Sequence, residues 1–225
     1  MATSTGMGRG RIREGAGPPR VGPPVGSSAR FRAAPAAIAA VAAIALMALA
    51  LSGCGGSGKG PARDTVNQAL AELERARPLL EDLRELNAKI NDLGKRFTST
   101  QDTISEGMSL VDLINGDISE LEVVLGTARE LFGRVAEMQE AGDYREYAEL
   151  AGQAVEKQAA ALQTNRELVR TLAELLSLVE VAESGDQLQY YVDELERLAG
   201  ELERRNVEAA RLAGEADSFY SEKKL

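Results

Sequence analysis

The sequence contains no histidine and no tryptophan, only one cysteine, and few aromatic residues of any kind (4%). Without histidine, the chain lacks the commonest general base, the commonest transition-metal ligand and the usual pH switch. A single cysteine cannot form an intrachain disulfide, a CxxC redox pair or a cysteine zinc site. We therefore expect neither enzymatic activity nor a bound metal. The core must be built from aliphatic side chains and alanine, which favours helices packed on helices.

Charge is divided unevenly along the chain. Six arginines and a single acid before Cys54 give +5, and because the whole chain carries −9, the remainder carries −14. A basic leader ahead of an acidic body is typical of an exported protein, since positive charge stays on the cytoplasmic side of the membrane. An acidic body repels phosphate backbones, so we expect no nucleic-acid partner.

The leader, residues 1–32, is rich in glycine, proline and arginine and shows no periodicity. We expect it to be disordered. A start of translation near Met7, Val21 or Val25 would give a more compact leader.

An apolar segment follows, AAPAAIAAVAAIALMALAL, which runs from Ala33 to Leu51 without a charge and comes directly after Arg30 and Arg32. This basic-then-apolar order is typical of a signal peptide. The segment ends in a leucine, two small residues and the cysteine: Leu51, Ser52, Gly53 and Cys54. These four residues resemble the lipobox of bacterial lipoproteins. The resemblance implies that diacylglycerol is attached to the Cys54 sulfur, that a peptidase of the signal peptidase II type cuts just before it, and that fatty acids such as palmitate hold the mature chain in the membrane.

The expected organisation is therefore a signal peptide and lipobox at 33–53, a lipidated cysteine and flexible linker at 54–63, and a helical domain at 64–225. The linker, GGSGKGPAR after the cysteine, should span about 15 to 18 Å as a coil. The alternative is a single-pass anchor, because nineteen apolar residues can just cross a bilayer. The resemblance to a lipobox implies that the protein is at the cell membrane, lipid-anchored on its extracytoplasmic face.

The helical domain shows apolar residues with heptad spacing, which predicts four long helices. The first is expected to begin at Asp64 as its N-cap, and Pro78 should either kink it or split it at Arg77. Thr98 and Gln101 have the spacing of a capping box at the start of the second helix.

Two similar signals, EAGDY at 140–144 and ESGDQ at 183–187, separate the last three helices. In each, Gly142 or Gly185 is expected to take the left-handed conformation that ends a helix, and Asp143 or Asp186 to cap the next one. Turns this short force antiparallel neighbours. The sequence therefore predicts an all-α fold, an elongated antiparallel four-helix bundle resembling a coiled coil.

The predicted core rows are aliphatic, with few exceptions. The second helix carries the most regular row, at Ile104, Val111, Ile118, Leu125 and Phe132, with a parallel row at Ile114, Leu121, Ala128 and Val135. The third and fourth helices carry Val155, Leu162, Val169 and Leu176, and Leu188, Leu195, Leu202, Ala209 and Ala216.

Polar residues interrupt these rows halfway along the bundle, at Gln158, Asn165, Arg205 and Asn206. Counting back across the two turns predicts that Asn165 faces Arg205 and that Ser119 lies at the same level. Such a layer has two interpretations. It fixes the register of the helices at some cost in stability, or it forms a pocket for a small ligand. The glycines inside the helices are similarly open to two interpretations, close helix approach or neutral surface positions: Gly107, Gly126, Gly133, Gly152, Gly200 and Gly214.

We expect a membrane-anchored, extracytoplasmic lipoprotein with a structural or protein-binding role in the bacterial cell envelope. Broadly, the chain resembles the uncharacterised helical lipoproteins of bacteria, some of which are described as putative cell-wall-binding proteins. The expected partners are the membrane, through the lipid, and envelope proteins or cell-wall components; no cofactor is expected apart from the covalent lipid. The alternative is a ligand-sensing or substrate-binding lipoprotein that uses the polar layer. A lipid carrier would need a larger apolar groove. The last eight residues, SFYSEKKL, are expected to fray in solvent.

Overall fold

The computed structural model describes residues 60–96, 100–180 and 185–225. These residues form four helices: α1 (Pro61–Lys95), α2 (Gln101–Glu137), α3 (Asp143–Glu180) and α4 (Gly185–Lys223). The expected leader, signal peptide, lipobox and most of the linker lie outside the described residues, as does Thr98.

The predicted all-α four-helix bundle is confirmed, and the described residues contain no strand. Each helix packs along its neighbour in the chain, α1 on α2, α2 on α3 and α3 on α4. The helices α1 and α3 also meet across the bundle, whereas α4 approaches α1 and α2 only weakly. With 35 to 39 residues, the helices are about 53 to 59 Å long.

Aliphatic residues with heptad spacing fill the core, as the sequence predicts. All nine residues of the two predicted rows on α2 are buried, and so are the main rows of α3 and α4 except for Leu188, which is half-buried. The first helix contributes a comparable stripe, which contains Val66, Leu70, Leu80, Leu83, Ile90 and Leu93. Burying these leucine, isoleucine and valine side chains contributes about 1.5 to 3 kcal/mol each, which makes this core the main source of stability.

The first helix differs from its prediction at two places. Gly60 is the N-cap and Pro61 the first helical residue, so Asp64 lies within the first turn rather than before it. Proline suits this position because its missing N–H has no helical partner there and its fixed φ is already helical. The helix is not split at Arg77, because it continues through Pro78 to Lys95. Buried Ala76 and Leu80 on either side of the proline hold the helix against the core.

The helix ends agree with the sequence at one turn and disagree elsewhere. Gly142 has φ +55°, the predicted left-handed conformation, and α3 begins at the next residue. Gly185, in contrast, is the first residue of α4, so its predicted role at the end of α3 is wrong. The predicted capping box is also wrong, since Thr100 is the N-cap of α2 and Gln101 is the first helical residue, where a capping box requires the third.

The C-terminal end is ordered, contrary to the expectation that it frays. The helix α4 continues to Lys223, Lys224 takes a left-handed conformation with φ 54°, and the amide of Leu225 donates to the carbonyl of Tyr220 at 3.3 Å. This bond has the pattern of a Schellman motif. Phe219, Tyr220 and Leu225 pack against the core and remain partly buried.

Candidate functional site

The predicted lipidation site, Cys54 with Leu51, Ser52 and Gly53, lies outside the described residues. Its identification stays a prediction from the sequence.

Three amide side chains of the predicted polar layer are in the core. Gln158 and Asn165 on α3 and Asn206 on α4 are buried, and Asn165 is completely inaccessible. Neither amide atom of Asn165 or Asn206 has a hydrogen-bond partner, and neither has Nε2 of Gln158. We call these three residues the core amides. Each buried polar group that lacks a partner costs about 1–3 kcal/mol, so the core amides weaken the dry bundle considerably.

The core amides occupy two levels instead of one layer. Lys157 Nζ pairs with Glu208 at 2.8 Å, and this cross-helix contact sets Gln158 and Asn206 at the same height. Asn165 lies seven residues further along α3, a rise of about 10 Å. It is level with Glu122 of α2, which accepts a hydrogen bond from Gln163 at 2.7 Å.

Arg205 does not face Asn165, so this prediction is wrong. Its guanidinium lies at the surface, where it donates to Glu201 at 2.5 Å and to the carbonyl of Ala160 at 3.4 Å. The aliphatic part of an arginine can pack on the edge of a core while the charged group reaches water. This explains how a heptad row accommodates Arg205, and the hydrogen bond from Arg205 lowers the pKa of the Glu201 carboxyl.

Ser119 lies at the predicted level but on the surface. Arg166, the neighbour of Asn165, donates to Ser119 Oγ at 3.1 Å and pairs with Glu122 at 2.8 Å. The Ser119 hydroxyl donates in turn to the carbonyl of Asn115. The level is therefore confirmed, but Ser119 belongs to an exposed α2–α3 contact, not to a polar core.

A groove of about 340 Å³ lies between α3 and α4 at the height of Gln158 and Asn206. We call it the α3–α4 groove, and it is lined by Glu156, Lys157, Ala160, Arg204, Arg205 and Glu208. The Lys157–Glu208 ion pair and the Arg205–Ala160 hydrogen bond both run from one helix to the other here. These two contacts therefore join the helices at the surface, at the height of Gln158 and Asn206.

The sequence analysis did not identify a buried aromatic cluster whose residues Phe132 and Tyr147 lie on either side of the turn at Gly142. Tyr147 is completely buried, with its ring centroid 6.1 Å from that of Phe132 and 5.0 Å from that of Tyr220. Its hydroxyl has no hydrogen-bond partner. Burial raises the pKa of this hydroxyl, and the nearby Asp217 carboxylate raises it further. The seven-residue spacing of Tyr147, Ala154 and Ala161 is the signal that places this tyrosine on a core row.

Asn87 of α1 was also missed. It is buried, and its Nδ2 atom has no hydrogen-bond partner. It follows Leu80 by one heptad, so the period that identifies the aliphatic core also identifies this position. On α2, burial raises the pKa of the Asp117 carboxyl, and the neighbouring charges of Asp82 and Glu120 raise it further.

A second groove, of about 360 Å³, lies near the start of α4. It is lined by Leu178, Gln187, Tyr190 and Tyr191 and is mainly apolar. The two tyrosine rings meet edge to face with centroids 5.4 Å apart, and Tyr190 is 64% exposed. We call these four residues the tyrosine groove.

Within the described ranges, no three acidic or cysteine side chains are grouped so that they can hold a metal ion. No helix formed by these same ranges has a stretch long and apolar enough to cross a membrane. No protein-family model, curated protein or solved structure shows significant similarity to this chain.

Proposed function

We propose that this chain is a lipid-anchored protein on the extracytoplasmic face of a bacterial membrane, with a structural or protein-binding role in the cell envelope. The observation that carries the proposal is the order of the sequence: arginines, a charge-free apolar segment, and then Leu51-Ser52-Gly53-Cys54. A leader of this kind directs export, and the thiol of the single cysteine is the only group in the chain that can form a thioether to a lipid.

The start of the bundle supports the proposal. Helix α1 begins at Pro61, seven residues after Cys54, so a lipid on this cysteine holds the end of the bundle at which α1 starts close to the membrane. Because α1 has 35 residues, the other end then stands roughly 50 Å further out. A rod of this length is suited to bridging the membrane and a partner at a distance from it.

The surface supports a binding role at the far end of this rod. Tyrosine is enriched at protein interfaces, and the tyrosine groove combines an exposed ring with an apolar floor. Other large apolar residues that are exposed, Leu113, Val123 and Val207, are scattered singly along α2 and α4, which is normal for a soluble surface.

Lipidation is tested by metabolic labelling of bacteria with an alkyne fatty acid, followed by mass spectrometry of the N-terminal peptide. The wild-type chain should carry the label on Cys54 as its first residue. The matched control is the double variant Cys54→Ser/Ser57→Cys, which keeps one thiol in the linker but moves it out of the lipobox. An unprocessed leader with a free thiol, or equal labelling of the double variant, would contradict the proposal.

The binding role is tested by a photo-crosslinking residue placed at Tyr190 in intact cells. We expect a discrete crosslinked envelope protein or cell-wall fragment. A crosslinker at Val123, which is equally exposed on α2, serves as the control for random encounters. If both positions yield the same background products, the proposed contact surface is wrong.

A second candidate function is the binding of a ligand inside the bundle. One observation favours it: five amide atoms of Gln158, Asn165 and Asn206 are buried without a hydrogen-bond partner. A bound molecule that supplies the missing hydrogen bonds would stabilise the folded chain, and its absence would weaken it. This function is tested by thermal unfolding of wild type and of the Gln158→Leu/Asn206→Leu variant with a small uncharged amide, which should stabilise wild type alone.

A further inference from the structure

The geometry points to a buried site between α3 and α4 that holds a small uncharged molecule able to donate and to accept hydrogen bonds. Gln158 and Asn206 form the site, and the α3–α4 groove is its access route. The inference deepens the second candidate function and does not depend on the lipid anchor.

First, two buried side chains between α3 and α4 need a hydrogen-bonding partner, a bound molecule that we call the guest. Nδ2 and Oδ1 of Asn206 and Nε2 of Gln158 are buried without a hydrogen-bond partner. Buried polar atoms in folded proteins are nearly always hydrogen-bonded to protein or to ordered water. Since no protein group satisfies these three atoms in the described residues, a molecule between the helices is the partner that the inference assigns to them.

The second step is the chemistry of the guest. Asn206 offers a donor and an acceptor, and Gln158 adds a donor, so the guest needs both kinds of group. The charged side chains that line the groove at this height lie at the surface, since none of them is buried: Glu156, Lys157, Arg204, Arg205 and Glu208. A charged guest in the core would therefore lack a counter-ion, which is costly in an apolar interior. This selects an uncharged molecule.

The third step is size. The core residues next to Gln158 and Asn206 on the same helices are Ala161, Leu162 and Ala209, and all three are buried. A site enclosed by such side chains holds a molecule of only a few heavy atoms. Water is the smallest molecule that fits this description, and a primary amide or a short diol is the next.

The fourth step is access. Lys157 and Arg205 line the α3–α4 groove, and they precede Gln158 and Asn206 in the sequence, so the groove runs along the surface at the height of these two amides. The contacts across the groove, Lys157 with Glu208 and Arg205 with the Ala160 carbonyl, involve surface groups that can separate without unfolding a helix. Separation of these surface contacts needs only side-chain motion, which takes up to nanoseconds, and we assign the groove between them as the route of exchange with solvent.

The first experiment detects the guest directly. In the full chain, labelled with ¹⁵N and kept in detergent, the side-chain NH₂ protons of Asn206 should show cross-peaks to bound water. The Asn165→Leu variant is the matched control, because it removes a core amide at the other level and should leave the Asn206 signals unchanged. If the Asn206 protons contact no water and an Asn206–Gln158 hydrogen bond is found instead, the inference fails unless the second experiment finds an organic guest.

The second experiment separates water from an organic guest. Thermal unfolding of the full chain is followed with acetamide and, separately, with acetate, which has nearly the same shape but carries a charge. If acetamide raises the melting temperature of wild type but not that of Gln158→Leu/Asn206→Leu, the result supports an organic guest and the ligand-binding function. No acetamide effect, together with the water cross-peaks, supports water as the guest and removes the ligand-binding function.

Two outcomes overturn the inference. The first is protection by acetate and not by acetamide, because it would show that the site prefers a charge. The second is the absence of both the water cross-peaks and an acetamide effect. The wild-type measurements decide between these outcomes even if the double variant fails to fold, and circular dichroism checks its folding.

Discussion

Replacing helix glycines with alanine tests the packing of the bundle at defined points. At Gly126, Gly133, Gly200 and Gly214, an added Cβ would meet no atom within 4 Å. Alanine is favoured over glycine in a helix by about 0.8–1.0 kcal/mol, because glycine loses more backbone entropy on folding. The four substitutions lie on the surface and far enough apart to act additively, so together they should stabilise the fold by about 3–4 kcal/mol.

Gly107 should behave differently from these four. A Cβ at this position would lie 2.8 Å from Cδ1 of Leu176 and 3.3 Å from Cδ2 of Leu93. Both leucines are buried in the core, so they have little freedom to move away. Overpacking of a core costs about 1–3 kcal/mol, which equals or exceeds the gain in helix propensity. We expect Gly107→Ala to leave the stability unchanged or to lower it.

Thermal unfolding followed by circular dichroism measures both effects. For a chain of this size, 1 kcal/mol shifts the melting temperature by about 2–4 °C, so the quadruple alanine variant should melt about 6–16 °C higher than wild type. The informative comparison is Gly107→Ala against Gly126→Ala on the same helix. Equal stabilisation by both single variants would refute the close approach of α2 to Leu176 and Leu93, and with it the register of the helices at this end.

Three further substitutions test individual residues. Tyr147→Phe removes a buried hydroxyl without a partner and should raise the free energy of unfolding by about 1 kcal/mol, whereas Tyr190→Phe, at an exposed ring, should change nothing; equal effects would contradict the assigned burial. Pro78→Ala, at an exposed site inside α1, should stabilise by up to about 3 kcal/mol in urea unfolding, and no gain would mean that α1 is interrupted there. Burial raises the pKa of the Asp217 carboxyl above its ordinary value of 3.8. The folded state therefore holds this proton more tightly than the unfolded state, and the protein loses stability as the pH rises from 3.8 through the raised pKa. Asp217→Asn should therefore stabilise the protein at pH 7 and have no effect near pH 3, and an effect of equal size at both pH values would show that the titration of Asp217 is not its cause.

The fold was predictable because the core is encoded by a single period. Heptad spacing identified every buried residue of the two α2 rows, since each row lies on the same face of the helix. The pairing of α2 with α3 was also predictable, because Gly142 marks the turn in the sequence and takes the expected conformation. Counting residues outward from this turn along both helices pairs Ser119 with Arg166, and the structure shows a hydrogen bond between these two side chains.

The pairing of α3 with α4 was not predictable in the same way. The contacts of Lys157 with Glu208 and of Asp143 with Lys223 centre this hairpin about two residues earlier than the Ser184–Gly185 turn that was assumed. The numbers of two residues that face each other in a hairpin add up to twice the centre of the turn. An error of two residues in the centre therefore shifts the expected facing residue by about four positions. Arg205 is consequently opposite Ala160 instead of Asn165.

Periodicity also does not distinguish the edge of a core from its centre. Arg205 and Asn206 are adjacent in the sequence, and both lie near an apolar row. Only the packing of the helices shows that Arg205 reaches solvent while Asn206 is buried. The length and flexibility of arginine allow this outcome, whereas the short side chain of asparagine does not. A long charged residue on a heptad row is therefore better assigned to the edge of the core than to its centre.

The packing of each helix mainly on its neighbours in the chain has a kinetic consequence. Most contacts between helices join helices that follow each other in the chain, and helical bundles fold within microseconds to milliseconds. Each helical hairpin can form as soon as its second helix is available, without waiting for a distant segment. During folding, the apolar rows of each helix stay exposed until the helices pack. Rapid hairpin-by-hairpin collapse keeps that exposure brief, so we expect refolding from urea to be complete within a stopped-flow trace.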